Sequence, residues 1–433
     1  MLWRGPLALA LTLLIAACGG GSGSAVPTAA TGTISGTVAV SSNGAALPGV
    51  AVTSAGRSAR TAADGSYTLS DVPPADNTVV AFELAGHAKG MLTVSVSAGA
   101  VARANARLTP VGATQNFDAA TATTISVVGT PAQVSLPAAG LVTASGAAAT
   151  GIVTAEVTPI NPATDPGNMP GNYTAQAAAG GAPRPIESFG ALNVTLKDAA
   201  GNALNLAAGK TATIRIPLAT RSASVPATIP LFYLNETSGL WIQEGTATLA
   251  GTAPNQYYEG TVSHFTYWNA DQVTDTMRVL GCTQDSAGAP VTGADVDSYG
   301  SDYSGHDHVT SNLDCKFAVA IRKGSVANVV AQVGNRSSSP AHVGPSQTDI
   351  VLSAPLVLSS AGAPPLIIEQ PQPQTVQVDS YATFHVEAVG SPVLRYQWQR
   401  DGVDIVGETT PFLYVYPTRV ADNAARFTAV VTN

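Results

Sequence analysis

The sequence predicts an all-β chain, several tandem β-sandwich domains behind a signal peptide and a flexible tether. Three observations carry that expectation. No long stretch shows a 3.6-residue apolar period with helix caps. Short alternating runs recur instead, separated by Gly, Pro, Asn and Asp, the pattern of many short strands. At 433 residues the chain has room for about three or four domains. Only 11% of residues are charged and the net charge is −8, so no basic surface gathers phosphates and nucleic acid is excluded as a partner.

Residues 1–17 read as a secretory signal peptide. Arg4 precedes an apolar run from Leu7 to Ala17, which stops at small residues and a cysteine. A run of about 11 residues is too short to span a bilayer, which takes about 20. Leu13-Leu14-Ile15-Ala16-Ala17-Cys18 resembles the lipobox of bacterial lipoproteins. That resemblance implies a diacylglycerol on Cys18, cleavage before it, and a membrane held as partner through the lipid. Gly19 and Gly20 follow with no retention aspartate, which implies the outer membrane or cell surface. Residues 18–31 hold the lipidated cysteine and a Gly/Ser-rich linker unable to bury apolar surface.

Residues 32–110 form the first predicted β-sandwich. Gly32-Thr33-Ile34-Ser35-Gly36-Thr37-Val38, Leu47-Pro48-Gly49-Val50-Ala51-Val52 and Thr61-Ala62-Ala63-Asp64-Gly65-Ser66-Tyr67-Thr68-Leu69 follow in order. Asp64-Gly65 marks a tight hairpin turn where glycine supplies positive φ. Alternation places Tyr67 and Leu69 on one face. The run resembles the carboxypeptidase regulatory-like domain, a small transthyretin-like sandwich, and that resemblance implies a structural or docking module without catalytic residues.

Residues 112–270 predict a larger β-sandwich domain. Ile152-Val153-Thr154-Ala155-Glu156-Val157 reads as a strand, a Pro/Gly/Asn-rich loop spans Asn161 to Gly171, and hairpin turns fall near Asp198–Asn202 and Asn235–Gly239. Pro230-Leu231-Phe232-Tyr233, Gly239-Leu240-Trp241-Ile242-Gln243-Glu244-Gly245 and Ser263-His264-Phe265-Thr266-Tyr267-Trp268-Asn269 resemble a β-region of cartilage intermediate layer protein, whose implied role is structural.

Residues 276–360 repeat the first module in divergent form. Val279-Leu280-Gly281-Cys282 corresponds to Ile34–Thr37, Thr292–Val296 to Pro48–Val52, and Asp314–Val319 to Asp64–Leu69. Cys315 stands where the first copy has the turn glycine, and Cys282 where it has Thr37. With Cys18 lipidated, Cys282 and Cys315 are left as an even pair in an oxidising compartment, the arithmetic of one disulfide.

Residues 364–433 are similar to bacterial immunoglobulin-like domains. Trp398 stands at the core-tryptophan position, 12 residues after Val386, and Asp422 and Phe427 match a strand corner with Ala424 in place of the usual glycine. Val386 and Ala429 stand where such folds often carry cysteines. The resemblance implies a missing last strand, so the strand ending at Asn433 is expected to present an unpaired edge.

Few residues carry chemistry. Asp302-Tyr303-Ser304-Gly305-His306-Asp307-His308 sets two histidines at i and i+2, which on a strand face one way and are candidate metal ligands. No third ligand is evident, so the expected role of this stretch is a solvated polar loop, with no metal and no cofactor. His264 beside Phe265 and Trp268 reads as a structural histidine. No Gly-x-Ser-x-Gly elbow, His-Glu-x-x-His or phosphate loop occurs, and no paired carboxylates suggest a glycosidase. Tyr257-Tyr258 are candidate sugar-stacking residues, because adjacent strand residues face opposite ways and one of them reaches the surface.

The reading is a non-enzymatic cell-surface lipoprotein with a structural, adhesive or scaffolding role. The alternative is a polysaccharide-binding or polysaccharide-processing surface component. A surface protein or a glycan is the candidate partner.

Overall fold

The computed structural model describes residues 30–41, 44–164, 166–176, 181–334, 336–359, 365–389 and 394–432. Strands dominate them, with two 3-10 turns at Pro166–Asn168 and Val420–Asp422 and no α-helix among the described residues. The chain is all-β, as its alternating runs predict. Cys18 lies outside the described residues.

In the first unit Gly32–Val40 is the central strand. It pairs antiparallel with Ser66–Val72, and parallel with Val101–Arg103 and then Ala106–Leu108. A second sheet runs in the order Arg57–Arg60, Ala51–Ser54, Ala75–Glu83, Gly90–Val96. Every second residue points inward, so Ile34, Val38, Tyr67, Leu69, Val80 and Phe82 share one core between the sheets. Gly36 is required by a close approach, since a Cβ there would lie 2.1 Å from the Ala104 carbonyl oxygen. Gly65 holds its turn at φ +77°, and Asp64 Oδ1 accepts from the Ser66 amide at 3.0 Å. The turn is not the expected hairpin: it carries the chain from one sheet to the other, because Arg57–Arg60 pairs with Ala51–Ser54 and Ser66–Val72 with Gly32–Val40.

The third unit has the same strand order. Thr276–Asp285 pairs antiparallel with Lys316–Arg322, and parallel with Ile350–Val351 and then Leu356–Leu358. Register is alike at single residues in the two units: Gly36 opposes Tyr67, and Gly281 opposes Phe317. Thr61 and Ser311 play one role, each hydroxyl accepting from the amide just before an earlier strand, Val50 ahead of Ala51–Ser54 and Ala294 ahead of Asp295–Gly300. Cys315 takes the glycine conformation at φ +64° and is disulfide-bonded to Cys282, with Cα atoms 4.9 Å apart.

The middle unit is joined by strand pairing from one end to the other. Its strands form one continuous 13-stranded sheet running from Thr123–Ser126 to Ala113–Asp118. The physical reason is strand length. Arg184–Asp198 is 15 residues long and pairs with Tyr267–Val273 and Ile152–Ile160 along most of its course, so the sheet has no gap at which to split. A bulge between Ser188 and Ala191 bends it at Gly190, where φ is +128° and an added Cβ would lie 2.3 Å from the Pro217 carbonyl oxygen, so a side chain is excluded. One face holds the core of Phe189, Leu192, Ile214, Leu231, Tyr258 and Trp268. The opposite face is also buried at one end, where Ile186, Phe232, Leu234, Trp241 and Tyr267 meet Met169 and Tyr173, and Ala88 and Met91 of the first unit.

The C-terminal unit is built of three small sheets around Val386, Trp398 and Leu413. Trp398 is fully buried and donates from Nε1 to the Thr410 carbonyl at 2.9 Å. Ala424 sits at φ +64°, the conformation its position in place of glycine demands. Among the described residues, Phe427–Thr432 pairs only with Arg395–Arg400.

Candidate functional site

The stretch expected to be a solvated loop is not one. His306–Thr310 is a strand, paired to Asp295–Gly300, and Tyr303 and Ser304 in the connecting loop are buried. The first unit makes the equivalent connection with two left-handed residues, Ala55 and Gly56, between Ser54 and Arg57. The third unit inserts Ser301–Gly305 there. Ser301 and Asp302 of the inserted loop stay exposed, while Tyr303, Ser304 and Gly305 are buried against the middle unit.

Pairing sets the side-chain geometry. Val296, Ser298 and Gly300 face the core and are buried, which puts Asp295, Asp297 and Tyr299 on the outer face. His308 is directly opposite Asp297, and His306 opposite Tyr299. The two histidines therefore do share a face, as their spacing predicts. They do not converge on an open metal position. His306 donates from Nε2 and His308 from Nδ1 to the same oxygen, Asp297 Oδ1, at 2.9 Å each. The other nitrogen of His308 lies 3.9 Å from Asp295 Oδ1. Both nitrogens of His308 are thus turned to carboxylates, which suits a proton-bearing ring. Among the described residues no group of three ligands fits a metal ion.

Charge accounts for the titration of this cluster. Burial works against a charge on His308, but Asp297, Asp295 and Asp307 overcome it and push the ring up to about 9. Burial likewise opposes charge on Asp297, and the two imidazoles more than compensate, holding it well below the usual carboxylate range. Asp295 is lifted to about 6 by burial and by Asp297, against the pull of His308 and of Arg103 from the first unit. The His308 side chain keeps 32% of its surface exposed while the carboxylates it faces are 20% and 13% exposed.

The inserted loop reaches the middle unit through directed bonds. The Ser188 amide donates to the Ser304 carbonyl at 3.0 Å, and the Arg221 amide to Ser304 Oγ at 3.0 Å. Arg221 Nη1 donates to the Gly300 carbonyl at 2.6 Å. Tyr303 lies under the Arg322 guanidinium at 5.1 Å and accepts from the Arg322 amide at 3.1 Å. Arg322 Nη1 in turn donates to the buried Glu187 carboxylate and to Ser222 Oγ. Sequence reasoning missed Asp295, Asp297 and Glu187. An Asp-x-Asp strand preceding a His-x-His strand was the legible signal for the first two.

A second buried carboxyl lies close by. Asp271 is fully buried, and among the described residues no hydrogen bond reaches either of its carboxyl oxygens. Burial pushes its pKa well above the usual range, against the neighbouring Ser188, whose hydroxyl donates to Asn269 Oδ1 at 2.7 Å.

The aromatic candidates divide. Tyr258 is fully buried, with its hydroxyl donating to the Pro226 carbonyl at 2.7 Å, while Tyr257 is half-buried under Arg215 at 4.8 Å. His264 packs on Tyr233 and Trp268, and its carbonyl accepts from Trp268 Nε1 at 3.0 Å, a structural role. The exposed aromatics lie in the C-terminal unit instead. Tyr381 and Tyr416 stack at 4.0 Å and 11°, exposed by 50% and 58%, and Tyr414 is exposed by 50%.

Residues 33–109 match the carboxypeptidase regulatory-like domain family. No curated protein matches the chain. Among solved structures, the Bacillus anthracis TIE protein aligns at 11% identity and a TM-score of 0.18, over 74% of this chain and 50% of that one. The chain therefore spans half the length of that protein. BcpA, the major pilin subunit of Bacillus cereus, aligns at 11% identity and a TM-score of 0.16, over 76% of this chain and 99% of its own. Sidekick-1 immunoglobulin domains 1-5 align at 11% identity and a TM-score of 0.16, over 94% and 97%. At such TM-scores the likeness carries no argument about arrangement or role.

Proposed function

We propose that this chain is an exported, lipid-anchored surface protein whose β-units serve as a structural, adhesive or scaffolding body without catalysis. The observation that carries the reading is where the buried polar groups are used. Glu187, Arg221, Ser304 and Arg322 join the middle unit to the third. Lys89, Thr93, Asn172 and Tyr267 join it to the first: Tyr267 donates to the Lys89 carbonyl at 2.8 Å and the Thr93 amide to Asn172 Oδ1 at 3.1 Å. Polar groups shared between units in this way, Glu187, Ser304 and Tyr267 among them buried, hold neighbouring units in a set relation, the property a scaffold needs. Cys18 supplies the anchor, since two or more acyl chains make membrane attachment stable. The test is Cys18→Ala, which should move the mature protein to the soluble fraction and reduce attachment of the cells that carry it. Persistent membrane partitioning after a salt wash would reject the anchor, and unchanged attachment would reject the adhesive role.

A second reading, glycan binding, is favoured by the stacked pair Tyr381 and Tyr416 with Tyr414 beside them rather than by Tyr257 and Tyr258. Exposed aromatic faces suit the apolar face of a sugar ring. Retention of the protein on insoluble neutral polysaccharides should fall for Tyr381→Ala with Tyr416→Ala. Equal retention of that variant, or none by the parent, removes this reading.

A further inference from the structure

The Asp295–Gly300/His306–Thr310 hairpin combines two features that the first unit lacks, an inserted tip seated in a neighbouring unit and a carboxylate–imidazole chain along its outer face. We propose that this hairpin is a pH-dependent latch: the charged His308, gripped between Asp297 and Asp295, keeps the loop 301–305 seated in the middle unit, and loss of that charge unseats it.

The coupling is short and physical. Only two paired strands connect the cluster to the tip, and the Gly300 amide closes the loop by donating to the Gly305 carbonyl at 2.9 Å. Gly300 and Gly305 are close to the Tyr303 ring, where a Cβ on either would approach within 2.5 and 2.6 Å, so the tip has one packed arrangement. If the two strands splay, Ser304 leaves Ser188 and Arg221 together. The groups facing His308 are Asp295 and Asp297 across the pair and His306 and Asp307 on its own strand, with Arg103 of the first unit acting on Asp295. The next strand, Ala327–Val333, contributes Asn328, Val330 and Gln332 to that face and no charge. Asp307 is held apart by accepting from the Ala320 amide at 2.7 Å.

The direction follows from linkage. His308 has its pKa raised by folding, from 6.5 to about 9, so its stabilisation is complete below about 6.5 and is lost as pH rises through about 9. Asp295, also raised, acts in the same sense over a lower window, from 3.8 to about 6. Asp297 is lowered, so its contribution is lost only in acid, below its ordinary range. The latch is therefore tightest in mildly acidic solution and opens towards alkali.

Hydrogen exchange of the full chain, corrected for intrinsic rates, tests this at about pH 6 and about pH 10. Peptides covering 184–192 and 298–310 should lose protection together by about ten- to a hundredfold at the higher pH. A peptide covering 212–217 in the main core of the middle unit should not change. In His308→Gln, which keeps a donor but cannot carry the charge, the two peptides should show at pH 6 the exchange the parent shows at pH 10. Equal protection of the parent at both pH values overturns the proposal without reference to any variant. An unaltered pH profile in His308→Gln overturns it as well.

Discussion

Cys315 occupies a backbone position that a side chain resists. Its φ of +64° is the conformation Gly65 adopts at +77° in the first unit, and the bond to Cys282 holds it there. Crosslinking residues 33 apart stabilises by roughly 3–4 kcal/mol on a chain-entropy estimate. Removing the bond with Cys282→Ala and Cys315→Ala should cost about that much, plus about 1 kcal/mol for the left-handed alanine. Cys282→Ala with Cys315→Gly should recover the last part. Urea unfolding separates the two, and equal stability of both double variants would show that the backbone position exerts no strain. Asp271 makes a different residue-scale case. Because burial raises its pKa, its contribution is favourable below about pH 3.8 and is lost as pH rises through the raised value. Asp271→Asn removes the ionisation, so it should add about 1–2 kcal/mol near neutral pH and flatten the pH dependence of unfolding. A variant less stable than the parent at pH 7 would mean that the carboxyl has a partner in solution.

At the scale of elements, the strands Arg184–Asp198 and Lys316–Arg322 meet through Glu187 and Arg322. Glu187 is nearly fully buried, so removing one partner strands the other. Arg322→Met alone should destabilise by about 3–5 kcal/mol, whereas Glu187→Met with Arg322→Met should lie within about 1 kcal/mol of the parent. A double-mutant cycle with no coupling would show that the pair is solvated. The inward faces of the strands were largely legible beforehand, their pairing less so. Tyr67 and Leu69 face one core because they alternate, and Asp314–Val319 repeats the turn and following strand of Asp64–Leu69. The insertion at Ser301–Gly305 was visible as extra length between two strands, but not its destination. A polar-looking tip next to two histidines reads as a solvent loop until the surface opposite it is known.

For the whole molecule, the expectation is cooperative unfolding across a junction. The middle and third units share Ser188–Ser304, Arg221–Gly300 and Glu187–Arg322, so calorimetry should show them melting in one transition. Arg221→Ala with Ser304→Ala should split that transition in two. Two resolved transitions in the parent would mean that the junction is too weak to couple them.

What the sequence determined alone was local. Period-two alternation set the strands and their inward faces, Gly65 and its counterparts set the turns, and two cysteines at matching places in a repeat marked a bond. These features depend on residues close along the chain or on a repeated pattern, so they can be read in one dimension. Only the tertiary structure decided three other matters: that the middle strands join in one sheet, that Tyr258 is buried while Tyr381 and Tyr416 are exposed, and that His306 and His308 serve Asp297. Each of these depends on which distant surface covers a face. A side chain's burial, and with it the charge it carries, is set by neighbours that no local pattern names.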